Sequence, residues 1–169
     1  MGISPTLIRL SLVVAIGIAI VAVYHGGDPL SPRAMAPAAF ETPVNARNGV
    51  AINGYDPVAY FLNGEAELGS STYTTVWRGV EWRFVSGRHL ALFRAQPARY
   101  APQFGGFSVY GAAQGKAYDA DPTLFDIIDG KLYFSHNERV RDLWLENPDG
   151  YIAEADRVWR ASPGGDVNG

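Results

Sequence analysis

Two pairs of β-branched and aromatic runs, each pair joined by a dipeptide that ends in glycine, constrain this chain more than any other feature. Phe125 to Ile128 and Lys131 to Phe134 flank Asp129-Gly130. That pair tolerates the positive φ angles of a type I′ turn, so the runs predict a tight antiparallel hairpin. Thr72 to Trp77 and Val80 to Val85 flank Arg78-Gly79 in the same way, and the apolar alternation of this second pair predicts one buried face.

Helical signals surround the hairpins. Gly49 to Ile52 reads as a short strand, after which Asp56 caps a helix with Pro57 at its first position, where a missing N–H costs nothing. Asn63-Gly64 stops that helix. Ser86 caps another that runs through Ala95, with Leu90 and Phe93 on the inner side and Pro97 at its end. Ser135 and Glu138 read as an S-x-x-E capping box opening a helix in which Val140, Leu143 and Trp144 share a face. Pro148 breaks it, and a last helix from Asp149 to Ala161 carries Ile152, Ala155, Val158 and Trp159 at core spacing. Strands and helices follow without a βαβ rhythm, and no repeat of fixed period is visible. The expected fold is α+β, small antiparallel β hairpins packed with short helices, preceded by one N-terminal transmembrane helix.

Composition narrows the function. With 47% hydrophobic and 12% aromatic residues and a formal charge of -3, the chain buries too much apolar surface for disorder. A pI near 5.5 offers phosphates no basic footprint, so no nucleic-acid partner is expected. The absence of cysteine removes disulfides, thiolate zinc sites, iron-sulfur ligation and a thiol nucleophile together.

The amino terminus sets the organisation. Leu10 to Tyr24 is an uninterrupted apolar run, and counting from Ile3 gives roughly 33 Å of helix against a hydrocarbon core of roughly 30 Å. A secretory signal peptide is the rival reading. No small-x-small site follows the run directly, and Ala34-Met35-Ala36 comes about a dozen positions late. Arg9 favours a cytoplasmic amino terminus, which places the remainder outside. The expected organisation is residues 1–25 as anchor or signal segment, contacting the membrane through 7–24, and 26–48 as a Pro/Ala-rich tether. Residues 49–161 form the globular domain and 162–169 the tail. The expected arrangement is a single-pass membrane protein with the carboxy-terminal domain on the outer side; the alternative is secretion after signal cleavage.

Several separated blocks carry a resemblance. Gly54-Tyr55-Asp56-Pro57-Val58-Ala59-Tyr60-Phe61, Trp82-Arg83-Phe84-Val85-Ser86, Tyr100-Ala101-Pro102-Gln103-Phe104-Gly105-Gly106-Phe107 and Asp129-Gly130-Lys131-Leu132-Tyr133 resemble the YHS domain family, in particular its exported bacterial branch. The likeness runs from about Gly49 to Trp159. It implies a domain associated with metal handling, but the thiol positions of the family fall on Ala59, Val85 and Ser108, and its histidine falls near Tyr73. Alanine and valine offer a metal no lone pair and serine is a poor ligand for a soft one, so soft-metal ligation is expected to be lost, with no cofactor.

Candidate sites in the remaining chemistry are sparse. His25, His89, His136, Asp56, Glu138 and Asp129 can ligate or titrate, yet no two histidines share the i, i+4 spacing of a helical metal site. His89 reads as a surface or partly packed residue. Asp56 reads first as a helix cap. There is no phosphate-loop motif and no nucleophile elbow. The best opening is a pocket lined by Tyr55, Asp56, Trp82, Phe107, Tyr110 and His136, in which rings stack on an apolar group and Asp56 or His136 adds a polar contact. These residues point to a non-catalytic binding or accessory module with a small-molecule or protein partner. The alternatives are an enzyme or a nitrogen and oxygen metal site using Asp56 with His136, and a protein-assembly module.

Overall fold

Both hairpins form in the computed structural model, which describes residue 40 and residues 42–165. The apolar run Leu10 to Tyr24, and with it the anchor or signal segment, lies outside the described residues. The strands are β1 (Ala46–Arg47), β2 (Val50–Ala51), β3 (Ser70–Trp77), β4 (Val80–Phe84), β5 (Asp121–Ile128) and β6 (Lys131–Ser135). They make one sheet in the order β1-β2-β4-β3 and a second of β5 and β6. The pairs β3/β4 and β5/β6 are antiparallel, while β2 touches β4 in parallel at Val50 and Glu81. The helices are α1 (Ala59–Leu62), α2 (Gly87–Ala95), α3 (Pro97–Tyr100), α4 (Val109–Ala113), α5 (Glu138–Leu145) and α6 (Pro148–Arg160). The protein is thus α+β, built of small sheets and short helices. Among the described residues no helix is long and apolar enough to cross a membrane.

The order of elements conceals a repeat that the sequence does not advertise. β3 and β4 span Ser70–Trp77 and Val80–Phe84; β5 and β6 span Asp121–Ile128 and Lys131–Ser135, each bound 51 residues further on. Pairing agrees too: three residues bulge from β3 between Ser70 and Thr74, and three from β5 between Asp121 and Phe125. Ser86 caps α2 through the amide of His89, and Asn137 caps α5 through that of Val140. Pro97 opens α3 and Pro148 opens α6. Upstream, Ile52, Asn53 and Gly54 take φ angles of 41°, 54° and 83°, and Phe104, Gly105 and Gly106 take 52°, 62° and 86°. The Asp56 amide then bonds the Glu67 carbonyl as the Ser108 amide bonds that of Tyr118. From Ile52 to Arg160 the chain is two copies of a turn-helix-hairpin-helix-helix unit, offset by 52 residues before the hairpins and 51 from them on, which corrects the expectation of no repeat.

Two aromatic cores share β6. Leu132 and Phe134 enter a core with Tyr60, Trp82, Phe84 and Phe93, while Tyr133 faces Phe104, Phe107 and Trp144 in the other. With both faces covered, β6 loses the alternation of a half-exposed strand. On β4, Trp82 and Phe84 are buried between half-buried Glu81 and Arg83, which is the predicted one-sided face. Each such ring contributes about 1.5–3 kcal/mol on leaving water.

Three sequence readings shift. The boundary at Gly49 falls inside packed chain: Phe40 and Val44 are core residues and the Gly164 amide bonds the Phe40 carbonyl. The cap of α5 is Asn137, because Ser135 still belongs to β6, where its buried hydroxyl accepts the Trp144 indole N–H at 2.9 Å. Of the face predicted on α5, Trp144 is buried and Leu143 is exposed.

Candidate functional site

The GYDP turn places a carboxylate where two segments meet. Gly54, at φ 83°, turns the chain so that Asp56 points inward, fully buried. Its Oδ1 accepts from the amides of Val58 at 2.8 Å and Ala59 at 3.3 Å, so the predicted cap closes the turn at Pro57 and Val58, and the helix begins at Ala59, two residues later than expected. Oδ2 accepts from the Val85 amide at 2.8 Å and lies 2.7 Å from His89 Nδ1. With Oδ2 accepting from the Val85 amide, we assign Nδ1 of His89 as a second donor to the same oxygen. One side chain thereby joins the GYDP turn, the residue after β4 and the first turn of α2. Ala59 and Val85, the thiol positions of the resemblance, meet here as backbone donors to Asp56.

His89 is therefore a buried partner, not the surface or partly packed residue expected. The pair spans 33 positions, and the one local signal for it is that His89 precedes Phe93 by four on the inward face of α2. In the second copy Ser108 stands where Asp56 stands in the first, and Val140 where His89 does. The Ser108 hydroxyl is buried without a hydrogen-bond partner among the described residues.

The other residues singled out do not converge with Asp56. His136 is exposed, and its Nδ1 lies 2.6 Å from the Asp119 carbonyl, with the ring 6.0 Å from that of Tyr118. Tyr55 bridges to Leu68 at the edge of the first core. Trp82 lies in that core and donates its indole N–H to the Trp77 carbonyl at 3.1 Å. Phe107 lies in the second core, 5.2 Å from Phe40, and Tyr110 rests on Tyr151 at 5.7 Å. Rings at alternating positions here fill two cores. Among the described residues no group of three or more His, Asp or Glu side chains is placed to hold a metal.

Open space lies elsewhere. A cleft of about 480 Å³ is lined by Trp77 and Arg78 of the first hairpin turn, by Phe104 and Gly105, and by Asp156, Trp159 and Arg160 of α6. None of the six residues named from sequence borders it. The Arg78 guanidinium sits 4.5 Å from the centroid of the Trp77 ring, and burial lowers its pKa. Arg160 reaches Asp156 at 3.7 Å. The floor is close-packed backbone: a Cβ on Gly105 would lie 2.3 Å from the Pro43 carbonyl oxygen and 3.1 Å from the Trp159 ring. Phe104 beside it holds φ 52°, a left-handed conformation that costs a bulky residue about 1–3 kcal/mol. A hairpin dipeptide ending in glycine was visible in the sequence; that it would face the last turn of α6 across 80 residues was not.

Searches with the sequence and the structure matched no family model, no curated protein and no solved structure.

Proposed function

We propose that this protein is a YHS-like, non-catalytic binding module held at the outer face of the inner membrane by residues 7–24, and that it presents the cleft to a small-molecule partner. The observation that carries this reading is the cleft itself. Its size falls within the roughly 300–1,000 Å³ of small-molecule pockets, and its lining is mostly polar, with Trp77, Phe104 and Trp159 as the rings within it. The Asp56 carboxylate, with both oxygens committed to backbone amides and His89, acts as a structural clasp in place of soft-metal ligands. A thermal-shift screen on the full chain tests the reading, because a ligand of the native state raises its melting temperature. Ala98 lines the cleft on α3 and is exposed, so Ala98→Trp fills the space without touching a core. Stabilisers of the wild type should fail on this variant; compounds that stabilise both equally would place binding elsewhere.

One observation favours a second reading. The buried contact of His89 with Asp56 is the arrangement that orients an imidazole for acid-base chemistry, so any such activity belongs to that pair and not to Asp56 with His136. His89→Gln keeps a side chain able to donate to Asp56 but removes the base; an unchanged turnover would end this alternative.

A further inference from the structure

The walls of the cleft offer a particular mixture of groups. Its rings are Trp77, Phe104 and Trp159, and the rest of its lining is mostly polar. Much of its backbone is already used. The Trp77 carbonyl accepts the Trp82 indole N–H, the Phe104 carbonyl the Phe107 amide, and the Gly105 carbonyl the Asn45 amide. The Trp159 carbonyl takes both the amide and the hydroxyl of Ser162. The Arg78 guanidinium is engaged on the Trp77 ring, 4.5 Å from its centroid, and belongs to that wall. Polar recognition of a ligand falls first to the side chains of Gln103, Asp156 and Arg160.

These three differ in what they can do. Asp156 only accepts, Arg160 only donates, and Gln103 does both. Asp156 Oδ2 and Arg160 Nη2 stand 3.7 Å apart, beyond hydrogen-bond distance, with 77% of the arginine side chain and 41% of the aspartate side chain exposed. Each therefore keeps its own hydrogen-bonding capacity, and separating them costs little. Their opposite charges also discriminate: an anion here meets Asp156 and a cation meets Arg160, so an ionic ligand loses to one what it gains from the other. Hydroxyls use all three side chains, because each hydroxyl both donates and accepts. The indoles add apolar faces. In the second copy the counterpart of Trp77 is Ile128, so the hairpin itself does not require an indole before its turn.

We propose that the cleft binds a neutral sugar, a β-linked disaccharide whose rings carry equatorial hydroxyls, with C–H faces against Trp159 and Trp77 and hydroxyls bonded to Gln103, Asp156 and Arg160. This deepens the binding-module reading and rests on it. Such a sugar has flat faces of C–H groups and an edge of hydroxyls. The C–H groups are drawn to the negative face of an indole, while the edge meets the donors and the acceptor that the loose Asp156 and Arg160 pair holds side by side.

The four tryptophans make the test self-controlled, since Trp77 and Trp159 line the cleft and the Trp144 indole N–H is bonded to Ser135 inside the second core. The full chain, ¹⁵N-labelled, is dispersed in a detergent with a polyoxyethylene head, so that the micelle itself offers no sugar. It is titrated with cellobiose, N,N′-diacetylchitobiose, the acyclic polyol sorbitol, and the flat aromatics 2-naphthylmethanol and 2-naphthoate. The expected result is saturable shifts of the Trp77 and Trp159 indole signals with a disaccharide, a still Trp144, no shift with sorbitol, and an affinity indifferent to salt. The tighter of the two disaccharides shows whether the acetamido group is read. Asp156→Ala should weaken binding by about tenfold while the melting temperature stays within a few degrees, because an exposed pair contributes little to stability. Equal shifts with sorbitol, binding of a naphthyl compound but of neither disaccharide, or unchanged affinity in Asp156→Ala would overturn the sugar and leave the cleft as the binding site. No shift of Trp77 or Trp159 with any of the compounds would overturn both.

Discussion

Asp56 and Ser108 occupy equivalent positions in the two copies, and their side chains carry opposite consequences. Asp56 satisfies four donors, so Asp56→Ala strands the amides of Val58, Ala59 and Val85 and the His89 ring in a dry interior. A loss of about 3–5 kcal/mol in urea unfolding is expected, since removing one member of a buried hydrogen-bonded pair leaves the other uncompensated. The Ser108 hydroxyl satisfies nothing and is buried. Ser108→Ala should therefore leave stability unchanged or raise it by about 1 kcal/mol, because an unpaired buried hydroxyl costs about 1–3 kcal/mol in lost hydration. A measured loss of more than about 1 kcal/mol would mean the hydroxyl has a partner that this geometry does not reveal. The cap at Asp56 was legible because a cap and its donors are neighbours in the chain. The His89 contact was not, since nothing local in a helix start says which distant turn will face it.

At the scale of elements, turn chemistry was the most legible part of the fold, because a positive φ is a demand the backbone makes on the residue in place. Gly79 and Gly130 meet that demand in open space, with nothing within 4 Å of an added Cβ, whereas Gly105 meets it against the Pro43 carbonyl. The three alanine variants should separate accordingly. Gly79→Ala and Gly130→Ala lose about 1 kcal/mol each in equilibrium unfolding, the conformational cost alone. Gly105→Ala adds a backbone clash at 2.3 Å and should fail to give a cooperatively folded protein. Losses of equal size at Gly105 and Gly130 would show that the cleft floor yields easily. The repeat is faint in the sequence because equivalent elements share backbone geometry and few identical residues. Gly79 and Gly130, Pro97 and Pro148, and Tyr100 and Tyr151 coincide, but Trp82 answers to Tyr133, Phe93 to Trp144, and Asp56 to Ser108. What recurs is the constraint at each place, a glycine turn, a proline start or a buried ring, and several residues meet each one.

For the molecule as a whole, the two copies are joined through the buried phenol of Tyr60 as well as through β6. Tyr60 of the first copy donates its hydroxyl to the Pro122 carbonyl in the bulge of β5 at 2.9 Å, between the rings of Phe125 and Phe134. Burial drives its pKa far above the ordinary value near 10, with the charges of Tyr55, Asp56 and Asp121 adding to the rise. Tyr133, in the other core, is raised for the same first reason and then by Asp156 and Asp129. A phenol with a raised folded pKa keeps its proton in the native state after the unfolded chain has lost it. The unfolded state then binds fewer protons, and stability falls as pH rises. The contribution is complete below about pH 10 and declines above it by about 1.4 kcal/mol per pH unit for each such group. Alkaline unfolding should therefore be steep and should take both cores together, since β6 serves each. Tyr60→Phe separates the terms: it costs about 1 kcal/mol at neutral pH for the lost bond to Pro122, yet removes one ionising group. Its urea midpoint should fall less than that of the wild type between pH 8 and pH 11. Parallel midpoint curves for the two proteins would mean that Tyr60 ionises without unfolding the interface between the copies, and that the bulge of β5 is not the joint that holds them together.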